Sequence, residues 1–222
     1  MLMDALQLYA LTMRSDMKTQ KLTTEEAIAQ RRSIRKFKSD PVPDELVMEV
    51  MEAARLAPSG SNAQPWRFKI VTDRETRQKL AEAAYHQSFI AQAPVVLVCC
   101  ASIKGYVDGT LSGIQDLSTT GVLEERVTGL VRSRIKKLKA VNVKAAIPCI
   151  ALNVAIAIEH IVLRALDFGL GSCWVRLINE QMIKELFGWG DDVYVVALLP
   201  LGYPDEAPAA RKRRAIEEIL LT

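Results

Sequence analysis

Residues 147–166 leave a chain like this few options. The run is apolar from Ile147 to Leu166 except for Asn153, Glu159, His160 and Arg164. Those side chains would be costly in hydrocarbon, so the run reads as a buried helix rather than a membrane span. The helix is expected over Cys149–Phe168, ended by Gly169. Its Ala and Ile residues fall on more than one face, and a helix apolar on several sides must be covered on several sides. In a chain of 222 residues, a subunit interface is an economical way to do that.

Shorter patterns fill the rest of one domain, 23–222, behind an N-terminal extension or arm, 1–22, where Leu2, Leu6, Tyr9 and Met13 recur at helical spacing. Thr23 with Glu26 forms a capping box and starts a helix that runs into Arg31. Pro43, Asp44 and Glu45 open the next, which shows Leu46, Val50, Ala53, Ala54 and Ala57 on one face and stops at Pro58. Trp66–Thr72 alternates as a strand, and Asp73 caps a helix through about Tyr85. Ala93–Ala101 is apolar throughout, which predicts a central strand. Residues 102–121, rich in Gly, Ser and Thr, are expected to be irregular. Leu123–Val141 is a basic amphipathic helix, best read as a solvated face. Ser172–Arg176 is short and extended, Gln181–Phe187 a small helix, and Val193–Leu201 a third strand. The tail from Arg211 is basic, then helical through Ile216, Ile219 and Leu220.

Composition excludes some partners. A net charge of +3 is too small to imply nucleic acid, and the basic helix carries no aromatic residues for stacking on single strands. Cys99, Cys100, Cys149 and Cys173 lack metal-ligand spacing, so no metal is expected; they read as buried free thiols in a reducing cytosol. The first residues contain Asp4 and lack the continuous apolar core of a signal peptide. The expectation is a cytoplasmic protein with no membrane or nucleic-acid partner.

Chemistry concentrates between Arg31 and Trp66. Arg31, Arg32, Ser33 and Arg35 place three guanidinium groups and a hydroxyl within five residues. Arginine offers a planar fork of donors that matches phosphate oxygens. Pro58-Ser59-Gly60-Ser61-Asn62-Ala63-Gln64-Pro65-Trp66 offers short hydroxyl and amide groups on a non-helical loop, suited to a polyhydroxylated chain and a polar ring edge. Together they suggest a phosphorylated, planar ligand bearing a sugar alcohol, and flavin mononucleotide (FMN) fits.

The Arg-Arg-Ser-Ile-Arg pentad, the helix after it and the Pro58–Trp66 loop resemble the FMN-dependent nitroreductase family. Gly169-Leu170-Gly171-Ser172-Cys173-Trp174-Val175 agrees, as does Leu201-Gly202-Tyr203-Pro204 followed by Arg211-Lys212-Arg213. The resemblance covers roughly residues 24–220. It implies an α+β fold with a mostly antiparallel central sheet flanked by helices, and a homodimer with the long buried helix at the interface. FMN would lie in clefts between the subunits. Arg31, Arg32 and Ser33 would meet phosphate and ribityl oxygens, and Arg211 and Arg213 would close on the same phosphate. Pro58, Ser59, Gly60, Asn62 and Gln64 match a loop supplied from the partner subunit. Cys173, Trp174, Val175 and Arg176 would lie against the isoalloxazine, with a backbone donor near N5. Arg35 is the expected catalytic residue, because a fixed cation near N1 and the C2 carbonyl stabilises the reduced ring. Residues 102–148 correspond to a variable lid segment. The implied activity is ping-pong: NADH or NADPH reduces the flavin, then a small nitroaromatic, quinone or related acceptor reoxidises it. A reductive dehalogenase, a flavin-modifying enzyme or a non-enzymatic flavin carrier is the alternative.

Overall fold

In this computed structural model, which describes residues 21–141 and 143–221, one strand sets the architecture. All residues of β2 (Val95–Ser102) are buried. It lies between β1 (Trp66–Val71) and β4 (Val193–Gly202), and the short β3 (Gly171–Ser172) flanks β4. The order is β1-β2-β4-β3 and each ladder is antiparallel. Each buried Val or Leu is worth about 1.5–3 kcal/mol, so a strand covered on both faces selects apolar residues at successive positions. The expected α+β class and central strand are found.

Period-2 alternation then divides β2 between two core layers. Val95, Leu97, Cys99 and Ala101 join one with residues of α2 (Asp44–Arg55) and α7 (Ile147–Leu166). Val96, Val98 and Cys100 join the other with residues of α3 (Arg74–Ala83), α4 (Phe89–Gln92) and α8 (Glu180–Phe187). The register with β4 shifts between Cys99 and Cys100, and Val196 and Ala197 consequently both enter the first layer. Burial raises the Cys99 thiol well above its ordinary range and pushes Cys100 up to about 12, so both behave as apolar packing. Cys149 departs from the expectation of four buried thiols: it is exposed on α7.

The long α7 is a core helix on its inner side. Ile150, Val154, Ala157, Ile158, Ile161, Val162 and Ala165 are buried, mainly against α2 and the sheet. Its outer side shows Leu152 and Ile156, 67% and 40% exposed. By length and composition it could cross a membrane, but its inner face is already occupied by protein. The capping box at α1 (Thr24–Gln30) forms as expected, with Thr23 N donating to Glu26 Oε2 at 2.7 Å.

Two expectations about secondary structure also fail. Residues 103–119 form a regular helix, α5 (Ile103–Thr119), which precedes the expected basic helix α6 (Glu125–Val141). The C-terminal segment forms a single 3₁₀ turn, Ile216–Glu218, with Ile216, Ile219 and Leu220 exposed; a short helix without a surface to pack on is marginal in water. The proposed arm over residues 1–20 lies outside the described residues.

Asp73 caps α3 by accepting from Thr76 N at 2.8 Å, and that bond lowers its pKa. A carboxyl depressed by folding stabilises fully above its unfolded pKa of about 4, and the contribution is lost as pH falls through the lower folded value. Asp73→Asn keeps the acceptor and loses the charge. We expect calorimetry of this variant to show a shallower fall of Tm with pH below about 4 than the parent; identical acid limbs would show that the cap charge does not contribute.

Candidate functional site

The site begins where α1 stops. Arg31 leaves helical geometry (φ −53°, ψ 127°), and the chain runs extended along the sheet edge. Ile34 and Phe37 are buried, with Ala93, beneath this segment. Ile34 N donates to Ser172 O at 3.0 Å, Lys38 N to Tyr203 O at 2.9 Å and Asp205 N to Lys36 O at 2.9 Å. Ser33 bridges Ser172 in parallel and Phe37 bridges Pro204 antiparallel. The close approach explains Gly171: a Cβ there would lie 2.5 Å from Ile34 Cγ1.

This docking makes a cationic cleft of about 550 Å³. Arg31, Arg32, Ser33 and Arg35 line it from one segment, and Arg211 and Arg213 from another. Arg32 also turns its Nη1 back to Ala29 O at 2.7 Å and Arg31 O at 2.9 Å, as a cation at a helix C-terminus does. Among the described residues, no acidic side chain forms an ion pair with Arg31, Arg35, Arg211 or Arg213. The forks of Arg31, Arg35 and Arg211 are available to an anion, and Arg213 keeps its other nitrogens while Nη1 donates to Arg211 O and Lys212 O.

Cys173, 3% exposed, sits beside the cleft. Burial raises its pKa; the Arg35 guanidinium and the Ser33 hydroxyl act in the opposite direction but do not overcome it. It is a packed thiol, without the thiolate character a nucleophile needs. The side chains that follow do not line this cleft. Trp174 packs on the first core layer and Val175 lies in the second, its N–H bonded to Leu198 O at 2.9 Å. Arg176 donates from Nη1 to Val196 O.

The Pro58–Gln64 loop is built separately, away from the cleft. Ser59 Oγ accepts from Gln64 N at 3.0 Å, and Gln64 Nε2 donates to Asn62 Oδ1 at 3.0 Å. Ser61, Asn62 and Gln64 adopt left-handed φ values of 52°, 51° and 46°. Such backbone persists only where its surroundings impose it. Asn153 of α7 does so from one side, accepting from Gly60 N at 2.8 Å. Helix α5 does so from the other. A Cβ at Gly109 would lie 2.2 Å from Ala63 O, and one at Gly113 only 1.6 Å from Ser61 O.

That packing corrects the reading of residues 102–121 as irregular. Gly105, Gly109 and Gly113 recur at one-turn spacing, so they form a flat stripe on a helix that the loop backbone crosses. The spacing was the available signal; composition obscured it. Asn153 and Glu206 are two further residues that the sequence reading did not single out. Glu206 also lines the cleft and accepts from the backbone N–H groups of Arg35 and Lys36, the latter at 3.1 Å.

An α+β layer structure with an arginine-lined cleft at its sheet edge is suited to an anionic ligand. The sequence model of the Nitroreductase family matches residues 28–203, and the chain belongs to that family. It is 32% identical over 200 residues to a Thermus thermophilus protein named NADH dehydrogenase, covering 90% of this chain and 96% of that one. It is 28% identical over 196 residues to the FMN reductase [NAD(P)H] of Bacillus subtilis, covering 87% and 71% of the two chains. Among solved structures, it resembles an Exiguobacterium sibiricum nitroreductase in complex with FMN, at TM-score 0.74 and 25% identity, covering 92% of this chain and 99% of that one.

Gly113→Ala should displace the Ser61 carbonyl and destabilise the protein by about 1–3 kcal/mol in chemical denaturation. Gly129→Ala on α6, where an added Cβ meets nothing within 4 Å, is the matched control and is expected to be neutral or slightly stabilising. Equal stability of the two variants would contradict the glycine-stripe account.

Proposed function

We infer that the protein is an FMN-dependent oxidoreductase that takes electrons from NADH or NADPH and delivers them to a small oxidised acceptor, of nitroaromatic or quinone type. One observation carries this reading. Two arginine-bearing segments, distant in sequence, line a single cleft with no acidic side chain paired to Arg31, Arg35, Arg211 or Arg213. The donor set fits FMN: guanidinium forks suit its phosphate, and the Ser33 hydroxyl suits its ribityl oxygens.

When bound, FMN supplies hydride chemistry in two half-reactions, with reductant and acceptor taking turns. The chain's own residues bind, orient and polarise. Arg31, Arg32, Ser33, Arg211 and Arg213 hold the phosphate end. Arg35, exposed toward the cleft, would place a permanent cation where negative charge collects on reduction. In the Cys173–Arg176 backbone, the Cys173 and Val175 N–H groups already donate to Pro200 O and Leu198 O, so a donor to the ring edge would come from Trp174 or Arg176.

The same reading includes a homodimer. The outer face of α7 shows Leu152, Ile156 and Cys149 to solvent, which supports a second copy as its cover. The Pro58, Ser59, Gly60, Asn62 and Gln64 loop lies off its own chain's arginine cleft and would complete the partner's. A soluble, cytoplasmic enzyme without a nucleic-acid partner is the setting we propose.

The purified protein should be yellow, or become so with added FMN. In anaerobic stopped-flow, NADH or NADPH should bleach the flavin and a quinone should restore it; a colourless protein that takes up no FMN rejects the reading. Arg35→Ala is expected to slow flavin reduction about tenfold or more while leaving the fold intact by circular dichroism, and Arg35→Lys should recover part of the rate. An unchanged reduction rate in Arg35→Ala would remove that residue's catalytic role.

A further inference from the structure

We propose that Glu206 is a positioning residue for the phosphate end of the cofactor: its carboxylate is the clasp that holds the Arg211–Arg213 strap over the Arg31–Arg35 segment. The proposal rests on the FMN reading above.

A carboxylate lining an arginine cleft is unexpected where an anion is to bind, since its charge opposes the ligand's. The geometry gives it another task. Glu206 Oε1 accepts from both Arg35 N and Lys36 N, groups 171 and 170 residues away in sequence. It therefore extends the ladder in which Lys38 N meets Tyr203 O and Asp205 N meets Lys36 O. Glu206 makes the last rung. Beyond it, among the described residues, no hydrogen bond joins residues 207–214 to the rest of the chain; Arg213 Nη1 bonds only within the strap, to Arg211 O and Lys212 O. Residues 209–214 are exposed and have no regular structure.

Arg211 follows Glu206 by five residues. With the clasp open, the last fixed point becomes the Asp205 N to Lys36 O bond, so the free run to Arg211 lengthens from five residues to six and its starting direction is no longer set by Glu206. The Arg211 cation is then on a longer and less directed tether, and its contribution falls with its effective concentration. Side chains ordered before binding cost less to order on binding, and the clasp supplies that ordering.

The charge of Glu206 and its hydrogen bonds make opposite predictions, which allows a clean test. Apo-protein variants would be titrated with FMN and with riboflavin, which lacks the phosphate, following flavin fluorescence quenching. Glu206→Ala should weaken FMN about threefold and leave riboflavin unchanged. Glu206→Gln, whose amide oxygen still accepts, should bind FMN as tightly as the parent or more tightly. Glu206→Asp keeps the charge but shortens the reach, and should weaken FMN; it covers the case in which the alanine variant does not fold. Arg211→Ala should weaken FMN in the parent but add little in the Glu206→Ala background, because the strap is already displaced. Unchanged or tighter FMN binding in both Glu206→Ala and Glu206→Asp, or full additivity with Arg211→Ala, overturns the clasp while leaving the FMN reading intact. A parent protein that binds neither flavin overturns both.

Discussion

The backbone ladder that residues 33–38 form with Ser172 and with residues 203–205 is the interaction on which the site depends. It is a few N–H···O bonds long, and each is worth only about 0.5–1.5 kcal/mol net. Its consequence is positional. Extended backbone places successive side chains on alternate sides, so Ile34 turns inward while the flanking Ser33 and Arg35 line the cleft. The burial of Ile34 and Phe37 with Ala93 fixes the register, because a slip by one residue would put Ser33 or Arg35 in the place of Ile34 and a lysine in the place of Phe37. The same ladder delivers the C-terminal arginines, since it ends where their strap begins.

A second device works at the other end of the sheet. Helix α5 carries its glycines at turn spacing, and that flat stripe admits loop backbone where any side chain would collide. Asn153 then fixes Gly60 from α7, the same helix whose outer face is apolar and exposed. The loop is therefore tied to the proposed subunit interface and to helix α5 at once. Its left-handed residues are strained conformations that this enclosure maintains.

Electrostatics at the cleft follow from what is left unpaired. Arginines elsewhere can be matched to carboxylates, as Arg55 is with Glu52 at 2.6 Å and Arg164 with Glu49 at 3.0 Å. At the cleft they are not, and the nearest carboxylate is turned onto backbone amides instead. Cys173 beside them stays protonated because desolvation outweighs the neighbouring cations. The arrangement concentrates positive charge without offering a nucleophile.

Much of this was legible in the residues. The double burial of β2 follows from its unbroken apolar run, the start of α1 from Thr23 and Glu26, and the chemistry of the cleft from arginine spacing; these are local rules in which side-chain type and periodicity carry the information. Other features were not legible. Residues 103–119 look like loop by composition, and only contact with the Ser61–Ala63 backbone explains why glycines populate a helix. Glu206 is an ordinary acidic residue in its own neighbourhood; its role exists because the sheet brings Arg35 and Lys36 alongside it. The sequence by itself determined which groups have the chemistry to suit an anion and which strand would be central. Tertiary structure alone decided which distant segments share the cleft and which residues hold them there, because hydrogen bonds and steric contacts between segments so far apart leave no period or composition in either one.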